Sequence, residues 1–167
     1  MSIIIGVTMP DMLVKLYDLP ALYPVVAKVN TFGINIRRPN TWEKTKVIEW
    51  VNKIFSARWA CECEATFITL PASCFIAEKD NNIIGFACYD CTAKNFFGPA
   101  GVNETARGKG IGKALLMACL HSMKDAGYGY AIIGGVGPAD FYAKAVGATL
   151  IGGSSSGIFA GNVNAQS

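Results

Sequence analysis

The sequence predicts a single mixed α/β (α+β) domain, and three observations carry that prediction. The chain has 167 residues, half of them hydrophobic, which suits one sizeable core. Segments with the two-residue alternation of strands take turns with segments of helical period. A glycine-rich turn then sits between a strand and a helix, as in layered α/β folds. Aromatic residues make up 11% and charged residues only 16%, a balance that argues against disorder.

The elements follow in order. Val14-Lys15-Leu16-Tyr17 alternates weakly and reads as a strand, and residues 20–30 read as a short helix despite Pro20 and Pro24. Gly33 opens a strand at Ile34-Asn35-Ile36-Arg37. Asn40-Thr41-Trp42-Glu43 resembles a capping box, and the helix behind it carries Val47, Ile48, Val51, Ile54 and Phe55 on one face. A second helix covers about 57–69 and stops before Pro71. Cys74–Ala77 and Ile83–Tyr89 read as a hairpin around the turn residues Lys79-Asp80-Asn81-Asn82. A strand at about 95–103 leads to the glycine-rich turn, and a helix from Gly110 to Ala126 is ended by Gly127. Tyr130–Ile133 is a buried strand, and Pro138 starts a short helix that Gly147 closes. Two short strands, near 148–151 and 157–160, finish the sheet. Nothing calls for a second domain.

Composition excludes several functions. The net charge is +3 and the basic residues lie singly or in pairs, so no nucleic acid is expected. The first ten residues lack a basic segment, and their apolar run stops at Pro10, unlike a signal peptide. No apolar stretch has the length of a bilayer, so a cytoplasmic protein without a membrane partner is expected. Its six cysteines are then reduced. Cys61-x-Cys63 and Cys88-x-x-Cys91 have spacings seen in zinc sites. On a strand, however, Cys88 and Cys91 point to opposite faces, so buried thiols and no metal are expected.

The chemistry concentrates in Arg107-Gly108-Lys109-Gly110-Ile111-Gly112-Lys113. Glycines let backbone approach a ligand closely, and successive N–H groups at a helix start attract an anion. Arg107, Lys109 and Lys113 add positive charge. A phosphate-binding P-loop would place its first glycine at Arg107 and its hydroxyl at Ala114, so it fails twice. Gly108, Gly110 and Gly112 are spaced by two throughout, which also fails the dinucleotide fingerprint.

The spacing that fits is Arg-x-x-Gly-x-Gly, from Arg107 through Gly110 to Gly112. With Gly101–Ala106 before it, this stretch resembles the acetyl-CoA signature of the GNAT superfamily of N-acetyltransferases. Phe141-Tyr142-Ala143-Lys144-Ala145-Val146-Gly147 is similar to that family's second motif. The resemblance implies a mostly antiparallel central sheet, flanked by helices and splayed between its fourth and fifth strands counted from Gly33. The GNAT-like domain would span 33–167, with 1–32 as an extension of strand and short helix packed on it. Acetyl-CoA would be the co-substrate, held by Gly101, Val102, Arg107, Gly108, Lys109, Gly110, Ile111, Gly112, Lys113, Phe141 and Lys144. The Val102 N–H would stabilise the oxyanion, and Tyr142 would act as general acid for the departing thiolate. A small-molecule primary amine would attack directly, without an acyl-enzyme.

Plainer readings stand beside these. The glycine turn can be only a tight turn, and Phe141-Tyr142 only core. His121, the sole histidine, shares a helical face with Lys113, Met117 and Lys124, which reads as solvated. The strand before the turn offers no carboxylate, so water or a more distant acid is the base. Trp59 and Glu62 share a helical face and suit a cationic acceptor, or are a core Trp beside a surface Glu; Glu64 and Asp90 are lesser candidates. Two rival functions remain: a non-catalytic acyl-CoA sensor on the same fold, and a protein or peptide N-acetyltransferase. Residues 1–32 would close a peptide groove or build a homodimer, and both options stay open.

Overall fold

The computed structural model describes residues 9–155 and 157–159; the reading of the first ten residues falls mostly outside them. At its centre is a seven-stranded sheet. The strands are β1 (Met12–Lys15), β2 (Asn35–Arg37), β3 (Cys74–Lys79), β4 (Asn82–Tyr89), β5 (Phe96–Val102), β6 (Tyr130–Ile133) and β7 (Thr149–Leu150). The helices are α1 (Leu22–Asn30), α2 (Lys44–Ile54), α3 (Ala57–Ala65), α4 (Ile111–Asp125) and α5 (Ala139–Val146). Across the sheet the order is β2-β3-β4-β5-β6-β1-β7. All neighbours are antiparallel except β5 and β6, which run parallel.

Strand periodicity sorts the core into two layers. Cys74, Ile76, Phe86 and Cys88 face a cluster closed by Val47 and Val51 of α2 and Ala60 and Cys63 of α3. Their alternates Ala77, Ala87 and Tyr89 face the opposite cluster, built on α4. The hairpin between β3 and β4 turns on Asp80 and Asn81, at φ 50° and 61°, the left-handed pair that matches strand twist. The box at Asn40 and Glu43 forms as its spacing predicts: the Asn40 N–H donates to Glu43 Oε2 at 2.6 Å.

Residues 12–15 lie inside the sheet. β1 fills the space between β6 and β7, with Met12 opposite both Ile133 and Leu150. Val14 and Leu16 are fully buried. α1 packs on the outer side of α4, so nine of the fifteen α4 residues are buried, Met117 among them. Of the expected wet face of α4 only Met117 is thus covered; Lys113 and His121 are half-buried and Lys124 is exposed, and His121 Nε2 lies 2.8 Å from the Pro20 carbonyl oxygen.

Two expected strands differ. The first starts two residues early, and Leu16–Asp18 forms a one-turn 3-10 helix, because Leu16 turns inward to pack on α4. The expected strand near 157–160 is a 3-10 turn over Gly157–Phe159, with residue 160 outside the described range. Gly157 has φ +42°, which an extended strand does not permit.

The splay is present where it is expected. β5 and β6 pair at Phe96 with Ile132 and Phe97 with Ile133, and no further. β5 continues to Val102 along β4 alone, with Gly101 opposite Phe86 and Val102 opposite Gly85. Pro99 has no N–H to offer β4, and the register shifts beside it, between Ala87 and Tyr89.

Candidate active site

The glycine turn owes its shape to two left-handed residues, Gly108 at φ +85° and Gly110 at φ +81°. Gly110 is the N-cap of α4 and contributes no side-chain cap. The first N–H groups of α4 thus lack an intrahelical partner and stand at the positive end of the helix dipole. Ile111, 2% exposed, pins that helix start to the core. A cleft of about 450 Å³ opens here, with Arg107 and Lys113 on its wall. It runs along the splayed end of β5 to Pro138, Phe141 and Tyr142.

The backbone of β5 gives this cleft an open edge. The Asn103 N–H donates to the Ile84 carbonyl at 2.9 Å. Since antiparallel bonds alternate along a strand, the Val102 N–H points away from β4, toward the side β6 has left. The Ala100 N–H points the same way, and Ala100 lines the cleft. Gly101 is required for a different reason: a Cβ there would collide with the Phe55 ring.

A second pocket, of about 540 Å³, lies beside the Phe96–Ala100 part of β5. Trp59 and Glu62 both line it, together with Arg58, Thr92, Phe96 and Phe159. Glu62 Oε1 accepts from the Thr92 hydroxyl at 2.7 Å. Its floor includes Gly134 and Gly135, just past the end of β6. Asp11 holds that loop, its Oδ1 accepting from the Gly135 N–H at 2.9 Å. The two cavities share Phe97, Ala100, Pro138 and Tyr142. Tyr142 leans edge-on to Phe97, ring centroids 6.5 Å apart, and to Phe141 at 5.1 Å. Burial pushes its phenol pKa up, so the hydroxyl holds its proton at neutral pH.

Most of the residues singled out in the sequence meet here. Gly101, Val102, Arg107, Gly108, Gly110, Ile111, Gly112, Lys113, Phe141 and Tyr142 line the first cavity, and Trp59 and Glu62 the second. Lys109 and Lys144 are on neither wall. Glu64 pairs with Lys44 at 3.0 Å on the surface. Asp90 is occupied by the Asn95 N–H at 2.7 Å and the Tyr128 hydroxyl at 2.8 Å. Arg58, Thr92, Ala100 and Asp11 were not singled out by the sequence. Only the run Gly134-Gly135-Val136-Gly137 hints at that side, as a segment where backbone is bared.

The cysteines group differently from their spacing. Cys61 is exposed, and the Cys91 thiol donates to the Gly98 carbonyl at 3.3 Å. Cys63, Cys74 and Cys88 come together instead, their sulfurs within 4.8 Å of one another. All three are fully buried within the apolar cluster under α2 and α3. Burial holds the Cys88 thiol neutral.

The comparisons with known proteins agree with this geometry. The family model for the acetyltransferase (GNAT) family matches residues 44–147, from the start of α2 to the end of α5. This chain belongs to that family. Among curated proteins, no sequence matches it significantly. In fold it is similar to a GCN5-related glucosamine N-acetyltransferase region of a fungal multi-domain GH3 beta-N-acetylglucosaminidase. The TM-score is 0.70 at 15% identity, over 86% of this chain and 20% of that one. It is also similar to a GCN5-related N-acetyltransferase from Sphaerobacter thermophilus, with TM-score 0.62 and 20% identity over 86% of this chain and 48% of that one. A third is a GCN5-related N-acetyltransferase from Kribbella flavida, with TM-score 0.52 and 15% identity over 85% and 54%. The chain thus spans between a fifth and about half of the length of these structures. Among the described residues, no helix is long and apolar enough to cross a membrane.

Proposed function

We propose that the protein transfers the acetyl group of acetyl-CoA to the primary amine of a small molecule, in a ternary complex. The observation that carries this reading is that two cavities along β5 meet at Phe97, Ala100, Pro138 and Tyr142. The pyrophosphate of acetyl-CoA would rest on the α4 N-terminus between Arg107 and Lys113. Its pantetheine arm would lie along the open edge of β5, as an added strand does. That places the thioester near Tyr142, with the Val102 N–H aimed into the cleft at a developing oxyanion. The amine would come from the second cavity. Its nitrogen lone pair attacks the carbonyl carbon, the carbon–sulfur bond breaks, and the thiolate takes the Tyr142 proton. The proton that the amine sheds goes to water or to Glu62, among the described residues the one carboxylate that lines either cavity.

The second cavity is what favours an enzyme over an acyl-CoA sensor, which needs no acceptor site. Its volume of about 540 Å³ between α3, β5 and the 134–138 loop is that of a small-molecule site, which favours a small molecule over an extended peptide. The test is to incubate the protein with acetyl-CoA and a panel of small amines and to measure free thiol. Thiol release that depends on a particular amine is expected. A thermal shift with acetyl-CoA but no release with any amine would favour the sensor. No shift at millimolar CoA would overturn the cofactor assignment.

A further inference from the structure

We infer that the acceptor amine also carries an anionic group, a carboxylate or a phosphate, which is seated on Arg58. This rests on the proposed acetyl transfer and deepens it. Arg58 and Glu62 stand one turn apart on α3 and both line the second cavity. A cation and a carboxylate at that spacing ordinarily pair across a helix face. Here they do not. The Arg58 guanidinium lies over the Phe159 ring, 5.0 Å from its centroid, while Glu62 turns to Thr92. Among the described residues, Arg58 forms no ion pair.

Local helix energetics give no reason for an arginine at this place. Ser56 is the N-cap of α3, so Arg58 sits in the first turn, where the helix dipole disfavours a cation. Its stacking on Phe159 instead fixes a planar fork of donors at the cavity wall, a geometry suited to carboxylate or phosphate oxygens. Between that fork and the Glu62 carboxylate the cavity presents one positive and one negative pole. An amine bearing an acidic group matches both: its oxygens on Arg58, its ammonium drawn by Glu62 before it sheds a proton and attacks. A polyamine would meet Arg58 with like charge.

The test compares matched acceptors in the same thiol-release assay. One arm sets amino acids against their carboxamides; the other sets phosphorylated amino sugars against the unphosphorylated sugars. The wild type should favour the acidic member of at least one pair, with a KM at least about tenfold lower. The arm that shows the preference identifies the anion. Arg58→Gln should raise the KM of the acidic acceptor to that of its neutral partner and leave the acetyl-CoA KM unchanged. Arg58→Lys should restore part of the preference. Equal use of acidic and neutral partners by the wild type, or an Arg58→Gln variant that keeps the preference, overturns this inference and leaves acetyl transfer standing. Absence of turnover with every amine removes both.

Discussion

The two cavities that share β5 are built in opposite ways. The cofactor side comes mainly from one contiguous stretch, Gly101 to Lys113, with α5 closing its end. The acceptor side is gathered from separate segments: Met9, α3, Thr92, β5, the 134–138 loop and Phe159. As proposed, the first would bind through backbone, whose N–H groups are common to all residues. It therefore depends on glycines that permit its shape. The second would bind through side chains, so its selectivity would rest on identities such as Arg58 and Glu62, which the backbone does not constrain. Substitutions should accordingly split into two classes, those that abolish cofactor binding and those that retune the acceptor.

The largest effect is expected at Gly110. Its φ of +81° is strained for any branched side chain, at a cost of about 1–3 kcal/mol. Gly110→Val should lose measurable acetyl-CoA binding by calorimetry while circular dichroism reports a folded chain. Binding that survives would place the phosphate site elsewhere and break the contrast. Arg107→Ala should weaken acetyl-CoA by about 1.5–3 kcal/mol if the guanidinium makes a charged hydrogen bond, with the acceptor KM unmoved.

Smaller effects belong to the acceptor side. Glu62→Gln should raise the acceptor KM several-fold and leave acetyl-CoA affinity alone, as steady-state kinetics in both substrates will show. An unchanged acceptor KM would return Glu62 to a structural partner of Thr92.

The smallest effect should come from the ionic network outside both cavities, where Arg37 meets Glu43 at 2.8 Å and Glu78 at 2.6 Å. Hydrogen bonds from Arg37 lower the Glu43 pKa to about 2. A carboxylate depressed in the folded state stabilises above its unfolded value and loses that contribution as pH falls through the folded one. Glu43→Gln should therefore lower the unfolding free energy measured in urea at pH 7, by no more than about 1 kcal/mol for a half-buried pair still screened by solvent. The difference should shrink as the pH falls from about 4.5 toward about 2. Neither substrate KM should change.

The same contrast explains what could be read from the sequence. That Arg107, Gly108, Gly110 and Gly112 gather at one cavity was legible because a turn that bares backbone at a helix start calls for glycines at short, fixed spacing. Tyr142 was legible through its motif, and the hairpin through Asp80-Asn81. Arg58 was not, since an arginine on a short helix looks like any surface cation until Phe159 is brought to it from 101 positions away. Asp11 was hidden for the same reason: its partner is Gly135, and chain spacing carries no trace of that contact. Buried thiols were expected, but their grouping was not legible, because Cys63, Cys74 and Cys88 meet through the packing of a helix on a hairpin. The insertion of β1 between β6 and β7 is likewise a long-range pairing that weak alternation at 14–17 does not announce.

The claim on which the rest depends is that the acetyl group passes between the cavities at Tyr142. The most direct test is the turnover number of Tyr142→Phe with acetyl-CoA and an acceptor the wild type uses, measured beside acetyl-CoA affinity. The substitution keeps the ring against Phe97 and Phe141 and removes only the proton donor. General acids contribute about 10²–10⁴-fold, and water can replace part of that for so acidic a leaving group. The expected result is a fall in kcat of at least about tenfold with acetyl-CoA affinity unchanged. A kcat within about twofold of the wild type would contradict it.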